Sequence, residues 1–376
     1  MNFVRSTLLI VVAIALIGLA LPSMILGQGA DAQVLLHPPA DSWPGYHGDY
    51  SGRRHSALSQ ITPQNVKNLA LAWAFQTEQP APIKSSPLMV DGILYFTIPD
   101  NIWAVDARSG HLIWHYNHPT TQGEHIGNRG VAIYKGYLFF LAPDANLISL
   151  NSKDGSVRWK VSVADVTKGY WTSMSPLIVG NHVLIGVSGD FDNLSGYIRS
   201  IDAETGATQW QWNTTPPAGT PNQTTGGMTW MTGTYDPDLN LVYWGTGNPT
   251  PVLKGSTRPG DDLYTCSIVA LNVDTGKLVW AFQVSPHDNG MSAYQRLREE
   301  PFEMLLTDIV MPEMDGIELA RRAAELDPDI KIMFITGFAA VALNSDSAAP
   351  KNAKVLSKPV HLRELVNEVH KLLAAA

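Results

Sequence analysis

The chain has 376 residues, a formal net charge of −8, 11 Trp, 31 Gly and one Cys. An acidic balance without a basic stripe excludes nucleic acid as a general partner. The single Cys266 excludes an internal disulfide, so cysteine usage gives no reading of the redox compartment. Composition breaks near Asn289. Residues 1–288 hold every Trp and 28 of the Gly, with 16 Lys+Arg and 21 Asp+Glu, whereas residues 289–376 pack 10 and 13 into 88 positions. Low charge with many Gly and Trp suits a β-rich repeat fold, and dense charge with few Gly suits a helix-rich α/β domain. The length allows each its own core.

The N-terminus reads as an export signal over residues 1–32. Arg5 supplies a positive start, Leu8 to Leu21 is almost wholly apolar, and Ala30-Asp31-Ala32 fits a small-x-small cleavage site before Gln33. The expected location is therefore exported, in the periplasm. The alternative is an uncleaved membrane anchor over residues 8–26.

A repeated unit follows: AVDARSGHLIW, SLNSKDGSVRW, SIDAETGATQW and ALNVDTGKLVW. Each has Asp or Asn four residues before a Gly and Trp four residues after it: Asp106/Gly110/Trp114, Asn151/Gly155/Trp159, Asp202/Gly206/Trp210 and Asn272/Gly276/Trp280. This predicts a strand ending at Asp/Asn, a tight turn with Gly at positive φ, and a returning strand whose Trp faces a neighbour. The Trp spacings of 45, 51 and 70 residues suit four-stranded propeller blades, with an insertion near 214–227 in the longest interval. A β-sandwich with repeated turns is the competing fold. Residues 34–288 have the length of five or six blades at roughly 40–50 residues each. His111, His115 and His118 fall on one strand and the loop after it, where their side chains stand too far apart for a metal site.

The repeats resemble the tryptophan-docking motif of the eight-bladed quinoprotein alcohol dehydrogenases, which use pyrroloquinoline quinone (PQQ) and Ca²⁺. The opening WPGYHGDYSGRRHSALSQITPQNVKNLALAWAF resembles that family's N-terminal segment, and NRGVAIY, YWGTGNP, RPGD and SPHD follow in family order. The resemblance spans about residues 41–288. It implies a small alcohol as substrate and a separate electron acceptor. It also implies that Trp230 lies beneath the cofactor ring, that Arg129, Ser173 and Ser188 face the cofactor, and that Asn248 ligates Ca²⁺. The family's calcium glutamate falls on Phe191, with Asp190 and Asp192 on either side as substitutes. Another glutamate falls on Lys84, and His125-Ile126-Gly127 replaces an adjacent cysteine pair. The catalytic base falls on Met291, which accepts no proton. The later blades have no counterpart in this sequence. The expectation is an incomplete propeller over 33–288, open at both ends and without a competent PQQ site.

Residues 289–376 resemble the receiver domain of two-component signalling, closest to CpdR-type single-domain receivers. The expected strands are Met304–Val310, Ile330–Thr336 and Lys354–Leu356, and the expected helices Gly316–Leu326 and Leu362–Leu373. In LLTDIVMPEMDG, Asp308 matches the aspartate phosphorylated by a histidine kinase or phosphotransfer protein. Thr336 matches the switch hydroxyl and Lys358 the lysine that pairs with the phosphoryl group. Mg²⁺ would sit at Asp308. The first strand, first helix and second strand of a receiver have no counterpart, nor does the acidic pair that holds Mg²⁺. Fold class is therefore mixed: an incomplete all-β propeller followed by a partial flavodoxin-like α/β domain. Three functions compete: a fusion in which neither ancestral activity is intact, a response regulator phosphorylated on Asp308, and a non-enzymatic propeller binding protein.

Overall fold

The computed structural model describes residues 29–189, 193–216, 225–251, 262–284, 301–309, 314–337, 353–357 and 362–374, together with Ala293, Tyr294, Leu297 and Arg298. The export signal thus lies almost wholly outside the described residues. Its last residues are built into the fold. Ala30 is fully buried, Lys135 N–H donates to its carbonyl at 2.9 Å, and Asp31 caps a short helix, α1 (Ala32–Leu36).

Four antiparallel sheets follow, each a meander of neighbours in chain order. The first is β1 (Leu88–Val90), β2 (Ile93–Ile98), β3 (Asn101–Asp106) and β4 (Leu112–Asn117). The second is β5 (Ala132–Tyr134), β6 (Tyr137–Leu141), β7 (Asn146–Asn151) and β8 (Val157–Ser162). The third is β9 (Leu177–Val179), β10 (His182–Gly186), β11 (Tyr197–Asp202) and β12 (Thr208–Asn213). Then come β13 (Thr225–Gly226), β14 (Thr234–Asp236), β15 (Leu241–Gly245), β16 (Pro249–Thr250), β17 (Ser267–Asn272) and β18 (Leu278–Gln283). The short β13 and β16 pair with each other, and the fourth sheet has the order β14-β15-β17-β18. The sheets do not close into a ring.

The predicted hairpin is present four times, and its turn is chemically determined. The side chain of Asp106 accepts from the backbone N–H of Arg108 and Ser109, and Asp202 accepts likewise from Glu204 and Thr205. The four glycines take φ between 65° and 75°, and each N–H donates to the carbonyl of the Asp or Asn four residues back. A register shift just after Ala104, Ser149, Ser200 and Ala270 absorbs the extra turn residue, and each of these small residues lies opposite the repeat's Trp.

Those glycines answer a second constraint. A Cβ on Gly155 would meet the Trp114 ring at 2.8 Å, one on Gly206 the Trp159 ring at 3.2 Å, and one on Gly276 the Trp210 ring at 2.4 Å. Trp114, Trp159 and Trp210 therefore each lie flat against the hairpin of the next sheet. The indole N–H then reaches the carbonyl three residues before the Gly: Trp114 to Ser152 at 2.9 Å and Trp210 to Val273 at 2.8 Å. Trp159 breaks the pattern. Arg158 donates to the Ala203 carbonyl at that position, and the Trp159 N–H is buried with no partner among the described residues.

Among the described residues four blades are present, where length allowed five or six. Residues 37–87 form a 3-10 turn (Val66–Asn68) and isolated bridges such as Trp43 with Met89, but no strand. The 70-residue Trp interval is filled by two insertions. The expected one follows β12, and a second separates β15 from β17. The near end of the open arc is not bare. The face of the first blade is covered by Trp73, Phe75 and Ala81, which pack on Ile98, Trp103 and Val105. Trp73 docks on Gly110 as the other Trp residues dock on theirs, with a built Cβ at 2.6 Å and its N–H on the Ala107 carbonyl at 3.2 Å. His115 stacks on Trp103 at 4.7 Å and bonds Asn101, while His118 pairs with Asp144 at 2.9 Å, so these histidines serve structure.

The tail has a separate core around Ile309, Ala320, Ala323, Ile332 and Phe334. β19 (Met304–Thr307), β20 (Lys331–Thr336) and β21 (Lys354–Ser357) form a parallel sheet in that order, with α2 (Gly316–Leu326) and α3 (Leu362–Ala374). Asp315 caps α2 on the Glu318 N–H, and Arg321 and Arg322 hold the Glu318 carboxyl at about 2. β19 ends at Thr307, and Val310 of the expected strand lies outside the described residues.

Deleting a docked indole removes a large buried side chain between two sheets. Trp114→Ala should lower unfolding stability by about 3–5 kcal/mol, measured by urea denaturation followed by circular dichroism.

Candidate functional site

Five loops at one end of the blades are stitched together by their backbones. Arg129 N–H donates to Ser173 O at 2.9 Å. Trp171 and Ser188 exchange two bonds of 3.0–3.1 Å. Thr229 N–H donates to Val187 O at 3.0 Å, and Gly247 N–H to Met228 O at 2.8 Å. The loops carrying Arg129, Ser173, Ser188, Trp230 and Asn248 therefore converge, although these residues are spread over some 120 positions.

Arg129 is the centre of the group. The Asn128 side chain before it is fully buried. It accepts from the Thr97 hydroxyl at 2.6 Å and the Gly130 N–H at 3.0 Å and donates to Leu141 O at 2.9 Å, which fixes the backbone at Arg129. The guanidinium then donates to Ser173 Oγ at 2.6 Å and lies over the Trp230 ring at 4.9 Å. Burial lowers the Arg129 pKa and Tyr46 raises it in opposition, but a guanidinium stays cationic at any ordinary pH. Trp230 keeps 40% exposure. Gly247 packs beside its indole nitrogen, with a built Cβ at 3.8 Å.

Of the five residues assigned to cofactor and metal among these loops, Arg129 thus touches two, Ser173 and Trp230. Ser188 lies in the same set of loops, and its hydroxyl is buried with no partner among the described residues. Asn248 is exposed, with its amide on Pro249 O at 3.2 Å. Asp190, Asp192 and Met291 lie outside the described residues. Where the cysteine pair was expected, His125 pairs with Asp100 at 2.9 Å. The Lys84 stem packs on Gly127, with a built Cβ at 2.5 Å.

The cationic fork, hydroxyl and open indole suit one edge and one face of a planar anion. Of the residues expected at the cation, Asn248 alone lies among those described. Among the described residues no group of three or more His, Cys, Asp or Glu gathers. Sequence reasoning missed Asn128, whose only signal is its place before Arg129. It also missed Trp73, whose signal is the string LAWAFQ set against LVWAFQ at 278–283.

In the tail, Asp308 follows β19 directly and its carboxylate accepts from Ile309 N–H at 2.7 Å. Gly316 lets α2 approach, since a Cβ there would lie 1.8 Å from the Asp308 carbonyl. Thr336 ends the adjacent parallel strand and is fully buried. Both sit at strand C-termini, where open α/β sheets place their chemistry. Lys358 lies outside the described residues. Among those described, β19 pairs only with β20, and Leu306 on it is exposed.

Arg129→Ala removes a charge-assisted hydrogen bond and a cation–π contact. It should cost about 1–3 kcal/mol of stability. Arg129→Lys should recover less than half, because an ammonium lacks the planar fork. Urea denaturation of the three proteins measures this.

Comparison with known proteins follows the same division. The β-propeller domain model of glucose/ethanol/alcohol dehydrogenases matches residues 43–289, and the response regulator receiver model matches 277–370. Quinohemoprotein alcohol dehydrogenase ADH-IIG of Pseudomonas putida is 34% identical over 66% of this chain and 39% of its own length. The crystal structure of the Comamonas testosteroni quinohemoprotein alcohol dehydrogenase superposes with a TM-score of 0.64 at 31% identity, covering 69% of this chain and 44% of that one. A europium-containing methanol dehydrogenase gives 0.61 at 29% identity, covering 68% and 51%. The receiver protein CpdR of Brucella abortus is 76% identical over 25% of this chain and 79% of its own. The chain thus spans about two fifths of its quinohemoprotein relatives and most of a receiver. It belongs to the PQQ β-propeller family of the alcohol dehydrogenases through its front two thirds, and to the response regulator receivers through its tail.

Proposed function

We propose that this chain joins part of an exported quinoprotein alcohol dehydrogenase to part of a phosphorelay receiver, with neither ancestral activity intact. The observation that carries the reading is the gathering of Arg129, Ser173 and Trp230 in a sequence whose catalytic-base position is Met291, with no group of three or more His, Cys, Asp or Glu among the described residues. A bound quinone would supply a hydride acceptor. Arg129, Ser173 and Trp230 would hold its edge and face, and Ca²⁺ would depend on Asn248 with Asp190 or Asp192. Oxidation of a small alcohol also needs a carboxylate to take the hydroxyl proton, and Met291 stands at that position. Arg5 and the apolar run Leu8–Leu21 support export, which separates the tail from a cytoplasmic histidine kinase.

A response regulator phosphorylated on Asp308 is the second reading. It is favoured by Asp308 and Thr336 at the ends of adjacent parallel strands. An acyl phosphate needs a divalent cation and positive charge around the phosphoryl oxygens. Mg²⁺ would have Asp308 without the acidic pair that a receiver brings from its first strand.

Two measurements test this. The chain incubated with PQQ and Ca²⁺ should give no ethanol-dependent reduction of an artificial electron acceptor; turnover above a no-alcohol control would sink the proposal. With acetyl phosphate and Mg²⁺, intact mass should detect no phosphoryl adduct. An adduct that disappears in Asp308→Ala would establish the second reading instead.

A further inference from the structure

Each blade junction in this chain is made the same way, by an outer-strand Trp laid on the Gly of the next hairpin. The series breaks at its two ends. At the far end Trp280 has no following blade among the described residues. It is 44% exposed, beside Phe282 at 63% and with Val284 and Ile268 also exposed. At the near end Gly110 has no preceding blade, and residues 71–76 cover it. That segment has no ladder partner among the described residues, and Leu71 is 84% exposed. Its sequence, Leu71-Ala72-Trp73-Ala74-Phe75-Gln76, matches the outer strand Leu278-Val279-Trp280-Ala281-Phe282-Gln283 at all positions but one. The near end is therefore occupied by a copy of the far end's own docking strand.

We propose that the far face docks on the near face of a second copy of this chain. β18 of one copy takes the place of residues 71–76 of the other. Trp280 then lies on the partner's Gly110, and its N–H donates to the partner's Ala107 carbonyl, as Trp73 does within one copy. The same contact repeats in reverse, so the pair is two-fold symmetric. Two arcs of four blades complete an eight-bladed ring. The arc follows the curvature of its solved relatives, since TM-scores of 0.61 and 0.64 are reached while covering 51% and 44% of those chains. The match between residues 71–76 and β18 selects a second copy over an unrelated partner. Closure also buries the exposed apolar strand, which is otherwise an aggregation hazard. This inference rests on the blades alone and is independent of whether a quinone binds.

Sedimentation equilibrium on the full chain tests it. The chain should be a dimer, Trp280→Ala should be monomeric, and Trp73→Ala, which vacates Gly110, should dimerise more tightly by roughly tenfold. The opposite signs of the two Trp→Ala changes are diagnostic, because general hydrophobic association would be weakened by both. The proposal is overturned by a monomeric chain, by a Trp280→Ala dimer of undiminished affinity, by weaker association of Trp73→Ala, or by open-ended assemblies in place of a dimer.

Discussion

Flat contact between an indole and a glycine that has no Cβ organises the front of this molecule. A strand meander is only a half-buried sheet and needs something against both faces. Here a Trp on the outermost strand sets the distance and tilt to the next sheet, and the receiving Gly is both the turn's positive-φ residue and the only residue that leaves room. One position thus satisfies a backbone demand and a packing demand together. Repeating the contact fixes the curvature of the arc. Curvature in turn brings the loops of Arg129, Ser173, Ser188 and Trp230 to one end, where their backbones bond in series.

The tail obeys a different logic. Its three parallel strands need cover on both faces and neighbours on both sides, as parallel sheets do. Gly316 again supplies closeness where a side chain would not fit, this time between a helix start and the turn after β19. The family matches of the two parts overlap over residues 277–289, so one short stretch reads as the end of one fold and the beginning of another. β18 lies inside that stretch and forms completely. The front fold therefore keeps its last strand.

What the sequence made legible was local. The hairpins were readable because Asp106, Gly110 and Trp114, and their three counterparts, act within nine consecutive residues. α2 was readable at both ends because Asp315 caps it and an apolar stripe runs along it. Long-range features were not readable by pattern. Asn128 is a buried amide with no periodic signature, and the Trp73 segment resembles a strand but forms none. Blade number was legible in the four repeats and not in the length, because residues 37–87 contribute length without strands. The meeting of Arg129, Ser173 and Trp230 came from family resemblance, since it links residues more than 40 positions apart.

The third junction has a consequence of its own. Arg158 has taken the carbonyl of Ala203 and pairs with Glu204 across the gap, leaving the Trp159 N–H buried and idle. The joint between the first and second blades carries His118 with Asp144, and the one between the third and fourth carries His182 with Asp274. The third junction adds a partly exposed ion pair, whose strength falls as mobile ions screen it. The arc is therefore not uniform in its response to ionic strength. Raising the salt weakens the Arg158–Glu204 pair and loosens the seam between the second and third blades, which makes that seam a place where the arc flexes in brine.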